Sequence, residues 1–62
     1  MMRPTPRFEV GDKVENYLGQ GAMVIEVIFV TTEGLPHKVL VDWDEANPDQ
    51  GPYYETAFIK KQ

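Results

Sequence analysis

The chain has 62 residues and no cysteine, and its ten acidic and six basic residues give a formal net charge of −4. This length supports one small domain with a thin core, and the composition excludes disulfides, thiolate metal sites and a cysteine nucleophile. The negative charge disfavours a general nucleic-acid-binding protein, because such proteins present a basic stripe to the phosphates.

We expect a soluble, cytoplasmic protein with a flexible tail over residues 1–7 and one folded domain over 8–62. The tail holds two prolines, two arginines and no apolar run, unlike a secretory signal. The longest apolar-rich segment, Ala22 to Val30, is interrupted by Glu26 and is too short to cross a bilayer as a helix.

The first strand is predicted near the start of this domain. Phe8, Val10 and Val14 share one parity, and Gly11 interrupts them with a bend that a residue with a Cβ would resist. Gly19 and Gly21 then predict a tight turn into the next element.

The second strand is the longest predicted element and covers residues 22–32. It is rich in β-branched residues and lacks Gly and Pro, which favours a strand over an amphipathic helix. Alternation divides it into two faces, and we expect the face that contains Glu26 to point outward. The predicted inward face holds Met23, Ile25, Val27 and Phe29, and the outward face holds Val24, Glu26, Ile28 and Val30.

A third strand is predicted over residues 37–43, after a turn at residues 33–36. It alternates, with Val39, Val41 and Trp43 on one face. His37 lies beside the turn and is the only histidine. No second histidine or cysteine exists to complete a metal site around it, so we expect a solvated polar side chain.

The last third of the chain is predicted to form a loop and two short strands. Residues 44–52 hold two prolines and a glycine, which indicates a loop. Tyr53 and Tyr54 open a fourth strand, residues 55–58 suit one helical turn, and residues 59–61 suit a closing strand. Short strands at this spacing predict an all-β barrel or sandwich. Its predicted core contains Val14, Ile25, Val27, Val39 and Val41.

The order of these elements resembles SH3-like barrels, including the KOW-type modules of transcription and translation proteins, which begin with a strand such as Val10 to Val14. It is more similar to the YodC-like family of small bacterial proteins. That likeness lies in the run Gly19 to Ile25, in Val41-Asp42-Trp43 and in the ending Glu55 to Ile59. The resemblance covers about residues 8–61. It implies a five-stranded SH3-like barrel with a short helical turn before the last strand, and no catalytic residues.

Aromatic side chains are the main candidate binding residues. Tyr and Trp give a large contact area at low entropic cost, and SH3-like barrels often bind along a groove near their first long loop. Adjacent residues of a regular strand point to opposite faces, so one of Tyr53 and Tyr54 is expected to be exposed, while Trp43 suits either the core or the groove. The residues predicted to bind a protein partner are Tyr17, Trp43, Tyr53, Tyr54, Asp44 and Glu45.

The acidic cluster between residues 42 and 49 does not have the spacing of a calcium loop. Counting from Asp44, Ala46 and Pro48 occupy the third and fifth ligand positions. We therefore expect no metal and no cofactor, and interpret the cluster as a solvated loop or as an acidic docking surface for a basic protein partner.

The predicted outward face of the second strand is too apolar for an isolated monomer. Either it is covered, for example by a second subunit in a homodimer, or a β-bulge exchanges the two faces of the strand. The residues predicted to self-associate are Val24, Ile28, Val30 and Leu40.

Three hypotheses for function follow. The first is a non-enzymatic module that binds a protein partner through an aromatic groove or the acidic loop. The second is a KOW-like contact with nucleic acid or a ribonucleoprotein, supported by the terminal bases Arg3, Arg7, Lys60 and Lys61. The third is an enzyme site formed at an oligomer interface, as in the plasmid-borne trimethoprim-resistant dihydrofolate reductases. This chain resembles those enzymes only in barrel outline.

The charge balance predicts weak binding to duplex DNA or RNA of arbitrary sequence at physiological salt. Fluorescence anisotropy of labelled duplexes is the measurement. Sub-micromolar binding that weakens steeply with added salt would contradict the prediction and promote the second hypothesis.

Overall fold

The computed structural model describes residues 5–61, which form one five-stranded antiparallel sheet. A single 3-10 turn (Glu55–Ala57) precedes the last strand. Within residues 5–61 there is no helix with the length and the apolarity needed to cross a membrane. The predicted all-β class and the helical turn are confirmed. The strands are β1 (Lys13–Asn16), β2 (Gly21–Ile28), β3 (Lys38–Trp43), β4 (Tyr53–Tyr54) and β5 (Phe58–Lys60).

The sheet has the strand order β4-β3-β2-β1-β5 and curls around one core. Side chains at the two ends of the sheet are in contact: the ring centroids of Tyr53 in β4 and Phe58 in β5 lie 5.7 Å apart. Within residues 5–61 the two edge strands, β4 and β5, do not pair with each other. Backbone hydrogen bonds therefore do not close the sheet into the predicted barrel in this part of the chain. The buried apolar core consists of Phe8, Val14, Ala22, Val24, Val39, Val41 and Phe58.

A β-bulge divides β2 into two halves. Val24 pairs with Val41, and Glu26 pairs with Leu40, so Ile25 is the extra residue between them. Because side chains alternate along a strand, one inserted residue exchanges the inward and outward sets on either side of it. The bulge was one of the two explanations for the apolar outward face, and the structure contains it.

The faces predicted for β2 are therefore wrong before the bulge. Val24 is fully buried rather than outward, whereas Met23 and Ile25, which were predicted to point inward, are each 37% exposed. After the bulge Val27 packs against the core as predicted. Phe29 was also predicted to point inward, and this is wrong, because Phe29 lies beyond the end of the strand and is exposed.

The remaining predicted core residues, Val14, Val39 and Val41, are buried as expected. The predicted self-association face loses Val24 to the core, and its other members, Ile28, Val30 and Leu40, are half-buried. A patch of four exposed apolar side chains is thus absent at these positions, and the homodimer stays a prediction.

His37 is buried, so its predicted solvated position is wrong. Its side chain is 2% exposed, its Nδ1 accepts a hydrogen bond from the Val30 N–H at 2.9 Å, and its ring meets Phe29 edge-on. Its carbonyl oxygen accepts from the Glu55 N–H at 2.9 Å. His37 therefore ties the β2–β3 connection to the 3-10 turn.

Glu55 joins the start of the domain to the 3-10 turn. Its carboxylate is buried, and its Oε1 accepts a hydrogen bond from the Arg7 N–H at 3.0 Å. The neighbouring Phe8 is part of the core. Residues 1–4 of the predicted tail lie outside the described residues.

Two adjacent substitutions test the bulge. Val24→Asp should abolish cooperative folding, because an unpaired buried carboxylate costs about 3–5 kcal/mol and a domain this small has about that much stability. Ile25→Asp should cost only about 1–2 kcal/mol, because Ile25 is already 37% exposed and its replacement leaves no fully buried charge. Urea unfolding followed by circular dichroism measures both. Equal destabilisation of the two variants would contradict the assigned register.

Candidate functional site

The turn between β1 and β2 holds Tyr17 out in solvent. Asn16 Oδ1 accepts hydrogen bonds from the N–H groups of Leu18 and Gln20, both at 3.0 Å. Asn16 Nδ2 also donates to Gln20 Oε1 at 2.9 Å, and Gly19 adopts a positive φ of 78°. Tyr17 is 91% exposed, so Asn16 fixes the turn while the tyrosine ring contributes little to it.

Trp43 and Tyr53 share one hydrogen-bond acceptor. Trp43 Nε1 donates to the carbonyl oxygen of Asp49 at 2.7 Å, and Tyr53 Oη donates to the same oxygen at 2.8 Å. The two rings pack edge to face, and each also contacts Phe58. Because both polar groups are already satisfied, these rings offer an apolar surface.

The loop that supplies this acceptor is itself held by hydrogen bonds. The Asp49 N–H donates to Asn47 Oδ1 at 3.0 Å, and the Gly51 N–H donates to Asp49 Oδ1 at 3.3 Å. The Gln50 carbonyl oxygen accepts from the Val41 N–H at 3.0 Å, which anchors the loop to β3. The loop over residues 44–52 was predicted only as irregular and acidic. These hydrogen bonds hold it in a defined conformation, so that it forms a wall beside Trp43 and Tyr53.

Two neighbouring cavities lie along this wall, and we refer to them together as the groove. We call them the aromatic half, about 270 Å³, and the acidic half, about 410 Å³. Gln20, Trp43 and Asn47 line both halves. The aromatic half is also lined by Asn16, Tyr17, Tyr53, Ala57 and Phe58. The acidic half is also lined by Gly19, Gly21, Asp44, Glu45, Ala46, Pro48 and Lys61.

The two carboxylates of the acidic half differ in their surroundings. Asp44 Oδ1 lies 3.3 Å from Lys13 Nζ. Its Oδ2 fills the space beside Gly21 where a side chain would begin, and Lys61 Nζ borders the same space. Glu45 is exposed and forms no ion pair within residues 5–61. Asp44 is thus locally compensated and Glu45 is not.

Five of the six predicted binding residues line the groove, and Tyr54 does not. The ring of Tyr54 lies under Lys38, whose Nζ is 4.9 Å from the ring centroid. Tyr53 and Tyr54 therefore point to opposite faces, as expected of neighbours in a strand. The carboxamides of Asn16, Gln20 and Asn47 were not among the predicted binding residues. The turn preference of asparagine could have indicated Asn16 and Asn47, whereas Gln20 carries no such signal.

Two of the basic residues near the C-terminus lie beside acidic side chains. Lys60 Nζ lies 3.7 Å from Asp12, and Lys61 borders Asp44. Arg7 lies over the ring of Phe8. Arg3, one of the terminal bases that support the nucleic-acid hypothesis, lies outside the described residues.

No group of three or more His, Asp or Glu side chains in residues 5–61 is placed to hold a metal ion. Comparisons with known proteins assign no family, because no family model, curated protein or solved structure matches this chain. The resemblance to the YodC-like family therefore rests on the sequence motifs alone.

The environment of Tyr53 makes the folding stability of the domain depend on pH. Burial, followed by the hydrogen bond and the negative charge of Asp49, raises the pKa of Tyr53 above its usual 10.0 and outweighs the lowering effect of Trp43. The neutral phenol is therefore favoured in the folded state. Its stabilisation is fully present below the unfolded pKa and is lost as the pH rises through the folded pKa.

Tyr53→Phe removes this titration while keeping the ring. We expect it to lower the free energy of unfolding by about 1 kcal/mol at neutral pH, through the lost hydrogen bond. The difference from the wild type should shrink as the pH rises above about 10. Urea unfolding of both proteins at several pH values measures it, and a difference that stays constant with pH would contradict the assignment.

Proposed function

We propose that this protein is a non-enzymatic interaction module whose groove binds an extended segment of a protein partner. The observation that supports this most directly is the exposure of Tyr17. Its ring is 91% exposed on a hydrogen-bonded turn, yet it lines the same cavity as Trp43 and Tyr53. Exposed Tyr and Trp rings beside a pocket are typical anchors for a protein ligand.

The rigidity of the groove also supports binding. One wall is fixed by the contacts of Asp49 with Trp43 and Tyr53, and the other by the contacts of Asn16 with its own turn. A preformed surface loses little conformational entropy when a ligand binds. The shared acceptor leaves ring surface rather than polar groups facing the ligand, which suits apolar side chains.

The charge of the groove favours a protein over a nucleic acid. Asp44 and Glu45 line its acidic half, and the chain as a whole carries a net charge of −4. A phosphate backbone brought against these carboxylates would be repelled, whereas a polypeptide with basic side chains would be attracted.

Tyr17→Ala tests the proposed function without disturbing the fold. Peptides selected from a random displayed library on the immobilised protein serve as probes, and the single tryptophan, Trp43, reports binding by its fluorescence. We expect Tyr17→Ala to weaken binding about tenfold or more, which is the effect of losing an aromatic anchor.

Leu18→Ala is the matched control, because Leu18 is exposed in the same turn and lines neither half of the groove. It should leave the affinity unchanged, and both variants should keep the wild-type unfolding temperature. A library that yields no binder, or binders that Tyr17→Ala leaves at full affinity, would overturn the proposal.

A further inference from the structure

Two carboxamides stand where the halves of the groove meet. Gln20 and Asn47 line both halves, and the oxygen of each is used within the protein. Gln20 Oε1 accepts from Asn16 Nδ2, and Asn47 Oδ1 accepts from the Asp49 N–H. Neither carboxamide nitrogen donates a hydrogen bond within residues 5–61. Both therefore remain donors for the carbonyl oxygens of an extended backbone.

Trp43 connects the two halves by its ring. The indole N–H is taken by Asp49, and the ring borders both the aromatic and the acidic cavity. An indole face attracts the alkyl stem and the charged end of Lys or Arg. A basic side chain that lies along Trp43 is thereby directed toward the acidic half.

Glu45 is the carboxylate in that half that can receive a basic group. Asp44 already pairs with Lys13 at 3.3 Å, whereas Glu45 has no ion pair within the described part of the chain. A cation from the ligand would therefore gain an unshared partner at Glu45 but would compete with Lys13 at Asp44.

We propose that the groove selects a partner segment with one apolar side chain in the aromatic half and a nearby Lys or Arg in the acidic half, where it pairs with Glu45. Gln20 and Asn47 hold the backbone between these two side chains. The inference rests on the proposed function and specifies the chemistry of the partner. Glu45 then determines the preference for a basic residue, while Tyr17 supplies affinity that does not depend on charge.

Random-peptide libraries selected in parallel on the wild type, Glu45→Gln and Glu33→Gln test the proposal. Glu33 is an exposed acid in the β2–β3 connection that lines neither half of the groove, so its substitution makes the same charge change elsewhere. The wild type and Glu33→Gln should enrich peptides with Lys or Arg near an apolar residue. Glu45→Gln should enrich the apolar residue alone.

A double-mutant cycle then isolates the ion pair. Replacing the base of one selected peptide by Gln should weaken its binding to the wild type and to Glu33→Gln about three- to fivefold, as expected of a partly exposed pair. The same replacement should change binding to Glu45→Gln less than about twofold. Trp43 fluorescence measures all of these affinities.

The outcomes separate this inference from the proposed function. Binders that depend on Tyr17 but show no basic preference, or that keep it on Glu45→Gln, would overturn the inference and leave the proposed function standing. The absence of any Tyr17-dependent binder would overturn both.

Discussion

The bulge at Ile25 is the constraint on which the rest of the fold depends. A sheet of short strands buries a core on one face only if it curls, and a bulge bends its strand and increases the local twist. The extra residue also lets both halves of β2 face the core, through Val24 before it and Val27 after it. The curl then brings the ends of the sheet together, so that Tyr53 contacts Phe58.

Because the two ends of the sheet are in contact, the same aromatic side chains contribute to the core and to the groove. Trp43 packs against the core and also lines both halves of the groove. The sequence suggested that Trp43 belongs either to the core or to the groove, and the structure shows that it belongs to both. The ring of Trp43 is half-buried. The Asp49 carbonyl satisfies the indole N–H at the rim, which lets the inner side of the ring stabilise the fold while the outer side faces the groove.

The sequence predicts those features that local chemistry decides. Glycines mark the β1–β2 turn, prolines mark the loop at 44–52, and alternation predicts the inward face of β3. The bulge was one of two explanations for the apolar outward face of β2, but its position could not be predicted. Residues 22–30 are apolar except for Glu26, so the sequence does not show which apolar residue is the inserted one. The burial of His37 was missed for a similar reason, since it depends on Val30 and the 3-10 turn folding against it.

The groove is built largely from residues that already hold the chain in its turns. Asn16 closes the β1–β2 turn, and Asn47 and Asp49 shape the long loop, so changes at these positions alter fold and groove together. Tyr17 and Glu45 are different, because both are exposed and neither has a hydrogen bond or ion pair among the described residues. They can be exchanged at little cost in stability. The scaffold therefore permits the proposed affinity and the proposed charge preference of the groove to change independently of the fold.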